Sequence, residues 1–183
     1  MPDHDYVITS GPGAGKTAVI EALAAMGHAT VVEAAREVIR DQQERLHPVL
    51  PWTNNYAFQL LCLGTQLAFE AETLGKPRFL DRSHVDSLGY SAFWNNPVPD
   101  VVRRAIRAHR YEKVFVLDTM PEAIYRADGE RKESYPQALA LREHVRAGYR
   151  EAGYDPIVVP VFPGNRDVGV KLRLELILSH VRT

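Results

Sequence analysis

Ser10-Gly11-Pro12-Gly13-Ala14-Gly15-Lys16-Thr17 decides the reading of this chain. It stands between a β-branched run, Tyr6-Val7-Ile8-Thr9, and a helical pattern from about Lys16 to Met26. A glycine-rich loop at such a junction lets backbone N–H groups converge on phosphate oxygens at a helix N-terminus. Lys16 can then reach the terminal phosphates and the Thr17 hydroxyl can ligate Mg²⁺, with Gly11, Gly13, Ala14, Gly15 and Ala18 completing the nucleotide cradle. The pattern G-x-x-x-x-G-K-[ST] is met except at its first position, where Ser10 stands. A serine suits that position if the turn needs no positive φ.

Outward from this loop, short β-branched runs alternate with longer helical patterns. Strands are expected at 6–9, 30–32, 78–81, 114–117 and 157–159. Helices are expected at about 16–26, 34–45, 56–74, 85–93, 100–110, 136–151 and 167–181. Strands separated by helices imply an α/β fold with a parallel sheet, right-handed crossovers and helices on both faces. Ligands of such sheets bind at the carboxyl ends of the strands. No repeat or linker divides the 183 residues, so a single domain is expected, with a lid at about 119–135.

The strand ends carry the other candidates. Asp81 closes the third strand beside the phosphate loop, where a carboxylate can bind Mg²⁺ or accept a proton from an acceptor hydroxyl. Arg82 beside it can clamp a phosphate or acidic group; the plainer alternative makes Asp81 a helix cap. Glu33 is a second candidate base and Arg36 a substrate anchor, although an i,i+3 Glu/Arg pair entering a helix is also ordinary surface chemistry. In the segment after the fourth strand, Arg126, Arg131 or Lys132 can fold over the triphosphate, or the charges simply pair among themselves in water. Asn165 and Arg166 occupy the loop after the fifth strand, which by fold analogy contacts the nucleotide base. Trp52, Tyr56 and Phe58 can stack on a planar acceptor or pack their loop onto the core.

The runs ITSGPGAGKT, VEAAREVI, FQLLCLGTQLAFEAE, FLDRSHVDSLGY, VFVLD and DGERKE, in this order, resemble the NadR/Ttd14-type AAA family of P-loop proteins, over about residues 5–180. The family is similar in fold to nucleoside and nucleotide kinases and includes the ribosylnicotinamide kinase domain of NadR. The resemblance implies a kinase-type P-loop fold with strand order 2-3-1-4-5, ATP or GTP with Mg²⁺, and a small-molecule acceptor. It raises Glu33, Arg36, Asp81 and Arg82 as site residues, and it aligns Gln66 and Glu70 with a Q-x-x-x-E whose glutamine binds the acceptor in related nucleoside kinases. Ser10 departs from the family's glycine, and within these 183 residues no second domain for NadR's other activity is expected.

Composition limits the alternatives. With 22 Lys plus Arg against 23 Asp plus Glu, the chain lacks the basic excess of a general nucleic-acid or membrane-surface binder. Its one cysteine, Cys62, excludes an internal disulfide framework and a cysteine metal cluster. The acidic start and the lack of a long apolar run lead to a cytoplasmic expectation. Residues 103–150 hold 11 basic and 7 acidic side chains, so the near-neutral total hides an Arg-rich stretch containing the expected lid. The expectation is therefore a kinase for a nucleoside-like or other compact acceptor; the alternative is a nucleotide-dependent regulatory switch with no such acceptor.

Overall fold

The computed structural model describes residues 4–75, 77–125 and 133–181. Five parallel strands form one sheet in the order β2-β3-β1-β4-β5, as expected. They are β1 (Asp5–Thr9), β2 (Ala29–Val31), β3 (Arg78–Asp81), β4 (Lys113–Leu117) and β5 (Ile157–Val159). The helices are α1 (Lys16–Ala25), α2 (Ala34–Gln43), α3 (Asn55–Glu72), α4 (Asp86–Trp94), α5 (Asp100–Ala108), α6 (Tyr135–Glu151) and α7 (Arg166–Leu178). Several helices stop short of their expected ends, each for a local reason. Thr73 turns extended and its hydroxyl donates to the Phe69 carbonyl, ending α3 before Leu74. His109 turns extended after α5 and brings its ring to Glu70.

Strand side chains alternate between two cores, the period of two that a pleated strand imposes. Tyr6, Ile8, Phe79, Phe115 and Leu117 face α1 and α7, with the Tyr6 and Phe79 rings stacked at 5.6 Å. Val7, Leu80, Val114 and Val116 face the opposite layer, built from α3, α4, α5 and α6. Within that layer α4 and α6 cross through glycines. A Cβ on Gly89 would collide with the Val145 backbone, and one on Gly148 would come within 2.8 Å of the Gly89 nitrogen.

The register delivers chemistry to one edge. Ile8 lies beside Asp81 and Phe115, so the loop leaving β1 emerges between the ends of β3 and β4. No helix among the described residues is long and apolar enough to cross a membrane.

Candidate functional site

The 10–15 loop joins β1 to α1, and both Gly13 (φ 69°) and Gly15 (φ 74°) adopt the left-handed conformation that glycine reaches without strain. Gly15 is the N-cap of α1, yet no side chain caps that helix and its first turn holds no acid. Its N-terminal N–H groups and positive dipole end are therefore left for an anion. Thr17 is exposed on the first turn and Ala18 half-buried behind it. Gly11 has a different reason: a Cβ there would strike the Ala138 carbonyl of α6. Ser10 is buried, with its hydroxyl unpaired among the described residues.

Lys16 is 4% exposed, and its ammonium is held by two acids. It forms a close ion pair with Asp81 and donates to Glu33 Oε2 at 3.3 Å. Asp81 and Glu33 come from different strand ends, and the phosphate-loop lysine is the point where they meet. Glu33 takes the N-cap position of α2 without capping it, because its carboxylate serves Lys16 and Arg82 Nε (3.1 Å), with Arg36 at 3.9 Å.

Arg82 has φ 67°, a conformation that costs a non-glycine residue energy and that recurs at functional sites. Its buried guanidinium also donates to the Ser10 carbonyl (2.8 Å) and to Asp86 Oδ1 (3.1 Å). Burial alone would lower its pKa, but Tyr90, Glu33, Asp86 and Asp81 around it hold it well above the usual guanidinium value. Asp86 is the hub of this network: it accepts from the Thr9 hydroxyl, the Ser83 backbone N–H (3.0 Å) and the Tyr149 hydroxyl. Sequence spacing did not single it out, although an acid three residues beyond Ser83 is a helix-start signal.

Beside this cluster opens a cavity of about 750 Å³ between α2, α3 and α4. Glu33, Arg36, Arg82 and Gln66 line it, as does Phe58 with Trp52 and Trp94. Asp81 and Glu70 are not among its lining residues. The expected acceptor contact of Glu70 thus has no support in the geometry. Its carboxylate takes hydrogen bonds from Gln66 Nε2 (2.7 Å) and the Tyr111 hydroxyl (3.0 Å), and pairs with His109 Nε2 at 3.0 Å. Gln59, one helical turn before Leu63, is a lining residue that the sequence reading passed over. Its amide nitrogen donates to Asn55 Oδ1 (2.6 Å) and the Pro97 carbonyl (2.9 Å). Its buried oxygen has no partner among the described residues and offers an acceptor to whatever enters the cavity.

On the other side of the phosphate loop, the buried Arg173 of α7 was also missed. It donates to the carbonyls of Ala14, Asp118 (2.9 Å) and Pro160 (3.0 Å), tying the loops after β1, β4 and β5 together. Asn165 is committed to capping α7 through the Val168 N–H (3.0 Å), and Arg166 is exposed beside it. Arg126 and Arg131, with Lys132, lie outside the described residues. The stretch before them crosses the phosphate loop: Met120 donates its N–H to the Gly13 carbonyl at 3.1 Å, and the Tyr125 ring fills the space a Gly13 side chain would need.

Two histidines predict a stability optimum. Contact with Glu70 raises the His109 pKa from 6.5, so its protonated form stabilises the fold; that contribution is complete below pH 6.5 and lost as pH rises through the raised value. Burial depresses His84 to about 4, so its contribution is complete above 6.5 and is lost as pH falls toward 4. Thermal unfolding followed between roughly pH 5 and 8 is expected to peak near the shared reference value of 6.5 and to fall on either side of it. His109→Gln should flatten chiefly the alkaline limb, with a smaller change on the acid limb because His109 also lowers the neighbouring His84.

The family described as an AAA domain matches residues 5–166. The chain belongs to that family. NadR, solved in complex with NR, superimposes with a TM-score of 0.69 at 14% identity, covering 97% of this chain and 50% of that one. Deoxyadenosine kinase from M. mycoides, with products dCMP and dCDP bound, gives 0.60 at 15% identity over 96% of each chain. Thymidylate kinase from Ehrlichia chaffeensis gives 0.62 at 12% identity, over 96% of this chain and 97% of that one. No curated protein matches the chain in sequence. The expected AAA family and kinase-type fold are thereby shown, and the likeness to NadR is one of fold.

Proposed function

We propose that this AAA-family chain is a P-loop kinase that transfers the γ-phosphoryl group of ATP or GTP to a hydroxyl of a compact, nucleoside-like acceptor held in the cavity of α2, α3 and α4. The observation that carries the reading is the convergence of Lys16, Asp81 and Glu33 where that cavity meets the phosphate loop. The 10–15 loop and the uncapped start of α1 receive the phosphates, and Lys16 exchanges its carboxylate partners for them. Of the two acids, Glu33 lines the cavity, so it is assigned as the base that takes the acceptor hydroxyl proton. The hydroxyl oxygen then bonds to the γ-phosphorus, the bond from that phosphorus to the bridging oxygen breaks, and the nucleoside diphosphate leaves. Asp81, paired with Lys16, and the hydroxyl of Thr17, the residue after it, are hard oxygen donors, a set suited to Mg²⁺, which when bound would shield charge on the phosphates. Gln59 and Gln66 supply polar contacts to the acceptor, Arg36 anchors it, and Trp52 and Phe58 offer flat apolar faces.

The fold neighbours support this acceptor class, since those solved with ligands hold dCMP and dCDP, dATP or NR. A switch that reads only nucleotide has no use for a cavity of about 750 Å³ beside the γ-phosphate position. The test is a screen of nucleosides, sugars and amino alcohols for stimulated ADP or GDP release. At least one class should stimulate turnover, and Glu33→Gln should lower kcat by about 10² to 10⁴ with little change in nucleotide affinity. Tight nucleotide binding with no stimulation by any compound would sink the kinase reading.

A further inference from the structure

The helix that walls the cavity also has an outward face, and that face carries no charge. Along α3, Tyr56, Leu60 and Leu67 are exposed, and Leu74 just beyond it is 86% exposed. Gly64 and Ala71 lie between them, also exposed. From Leu60 the order Leu60, Gly64, Leu67, Ala71 steps by four, three and four residues, which draws one straight stripe along the helix, with Leu74 just past its end. Of the two acids on α3, Glu70 is buried and only Glu72, at the last residue, meets water. A helix facing solvent ordinarily carries charged residues on that side.

Gly64 is a separate observation. A glycine inside a helix costs stability relative to alanine, and where α4 crosses α6 the cost has a cause: Gly89 and Gly148 lie against a neighbouring helix backbone. At Gly64 an added Cβ would meet nothing within 4 Å, so packing among the described residues supplies no reason for it. An open helical glycine on an apolar stripe is what close approach of a second backbone requires.

We infer that this face pairs with the same face of a second copy of the chain, the two α3 helices crossing at Gly64. A two-fold interface must be complementary to itself, and an uncharged stripe of alternating large and small residues meets that condition without opposing like charges. The exposed part of the stripe and its immediate neighbours offers on the order of 600 Å² per copy, so a pair buries roughly 1,200 Å², the lower bound for specific interfaces. The pairing is independent of the kinase reading, although the inner face of the same helix carries Phe58, Gln59 and Gln66 into the cavity.

Sedimentation equilibrium of the full chain over roughly 1 to 100 μM tests this. The expected mass is twice the 20.6 kDa of one copy. Leu60→Glu with Leu67→Glu should give the single-copy mass with an unchanged circular dichroism spectrum, and Gly64→Leu alone should weaken association at least tenfold. Gly64→Ala placed in the double variant should raise its melting temperature, because nothing then covers the helix. A single-copy mass for the unaltered chain at every concentration overturns the inference. So does a pair that survives both the double variant and Gly64→Leu, which would put the interface elsewhere.

Discussion

Lys16→Ala is expected to lower phosphoryl transfer by about 10³, the effect of removing one preorganised charge from a site that stabilises developing charge on oxygen. The loss should appear in kcat and in nucleotide affinity together, because the ammonium serves both the bound and the transferring phosphate. A second consequence follows from the partners of Lys16. The side chain is buried, and its ammonium is the cation nearest Asp81 and one of those around Glu33. Taking away one member of a buried ion cluster leaves the others desolvated, which costs about 3 kcal/mol. The variant should therefore melt lower than the parent without nucleotide, an effect foreign to a lysine waiting in solvent. Single-turnover measurements with the acceptor from the screen read the first effect, and thermal unfolding without nucleotide reads the second. Unchanged turnover would remove Lys16 from the site; unchanged melting would remove the carboxylate cluster from the account of stability.

What could be read from the sequence divides along a physical line. The phosphate loop, the alternation of strands and helices, and the acids at strand ends are local patterns, and each was legible because backbone periodicity and loop chemistry are written in consecutive residues. The fold order and the meeting of Glu33, Asp81 and Lys16 follow once the strands are placed in order. Residues whose role depends on distant partners were not legible. Arg173 lies 159 positions from Ala14, and in sequence it is one more arginine on an amphipathic helix. Asp86 gathers Thr9, Arg82, Ser83 and Tyr149 from three elements. The Q-x-x-x-E of α3 shows the limit of spacing: four residues put Gln66 and Glu70 on one helix face, and they do bond. That face passes from the cavity at Gln66 to His109 and Tyr111 at Glu70, and spacing carries no mark of where the cavity stops. Gln59 was overlooked because its significance is an unpaired oxygen, a property of packing.

Arg82→Ala is expected to be the most damaging substitution to the fold at the site, and the reason is its position between the machinery and the core. One guanidinium joins Glu33, the Ser10 carbonyl of the phosphate loop and Asp86, so it holds the assigned base, the loop and the α4 hub in one geometry. Its removal leaves two acids facing each other's space in a buried region, a cost of about 3 to 5 kcal/mol. Alanine offsets none of this, since the strain of the left-handed φ of 67° comes from the β-carbon that both residues carry. Arg82→Gly accepts that backbone freely but loses the same charge, so melting should fall for both, and less for glycine. Arg82→Lys separates charge from shape: a lysine keeps the cation beside Glu33 or Asp86 but cannot fork to both and to Ser10. Stability should recover partly in Arg82→Lys, while kcat stays about 10² below the parent because Glu33 and the loop are no longer held together. Melting curves and kcat for the three variants together decide the point. If Arg82→Lys restores kcat, the residue acts as a simple counter-charge and the fork is not what orders the site.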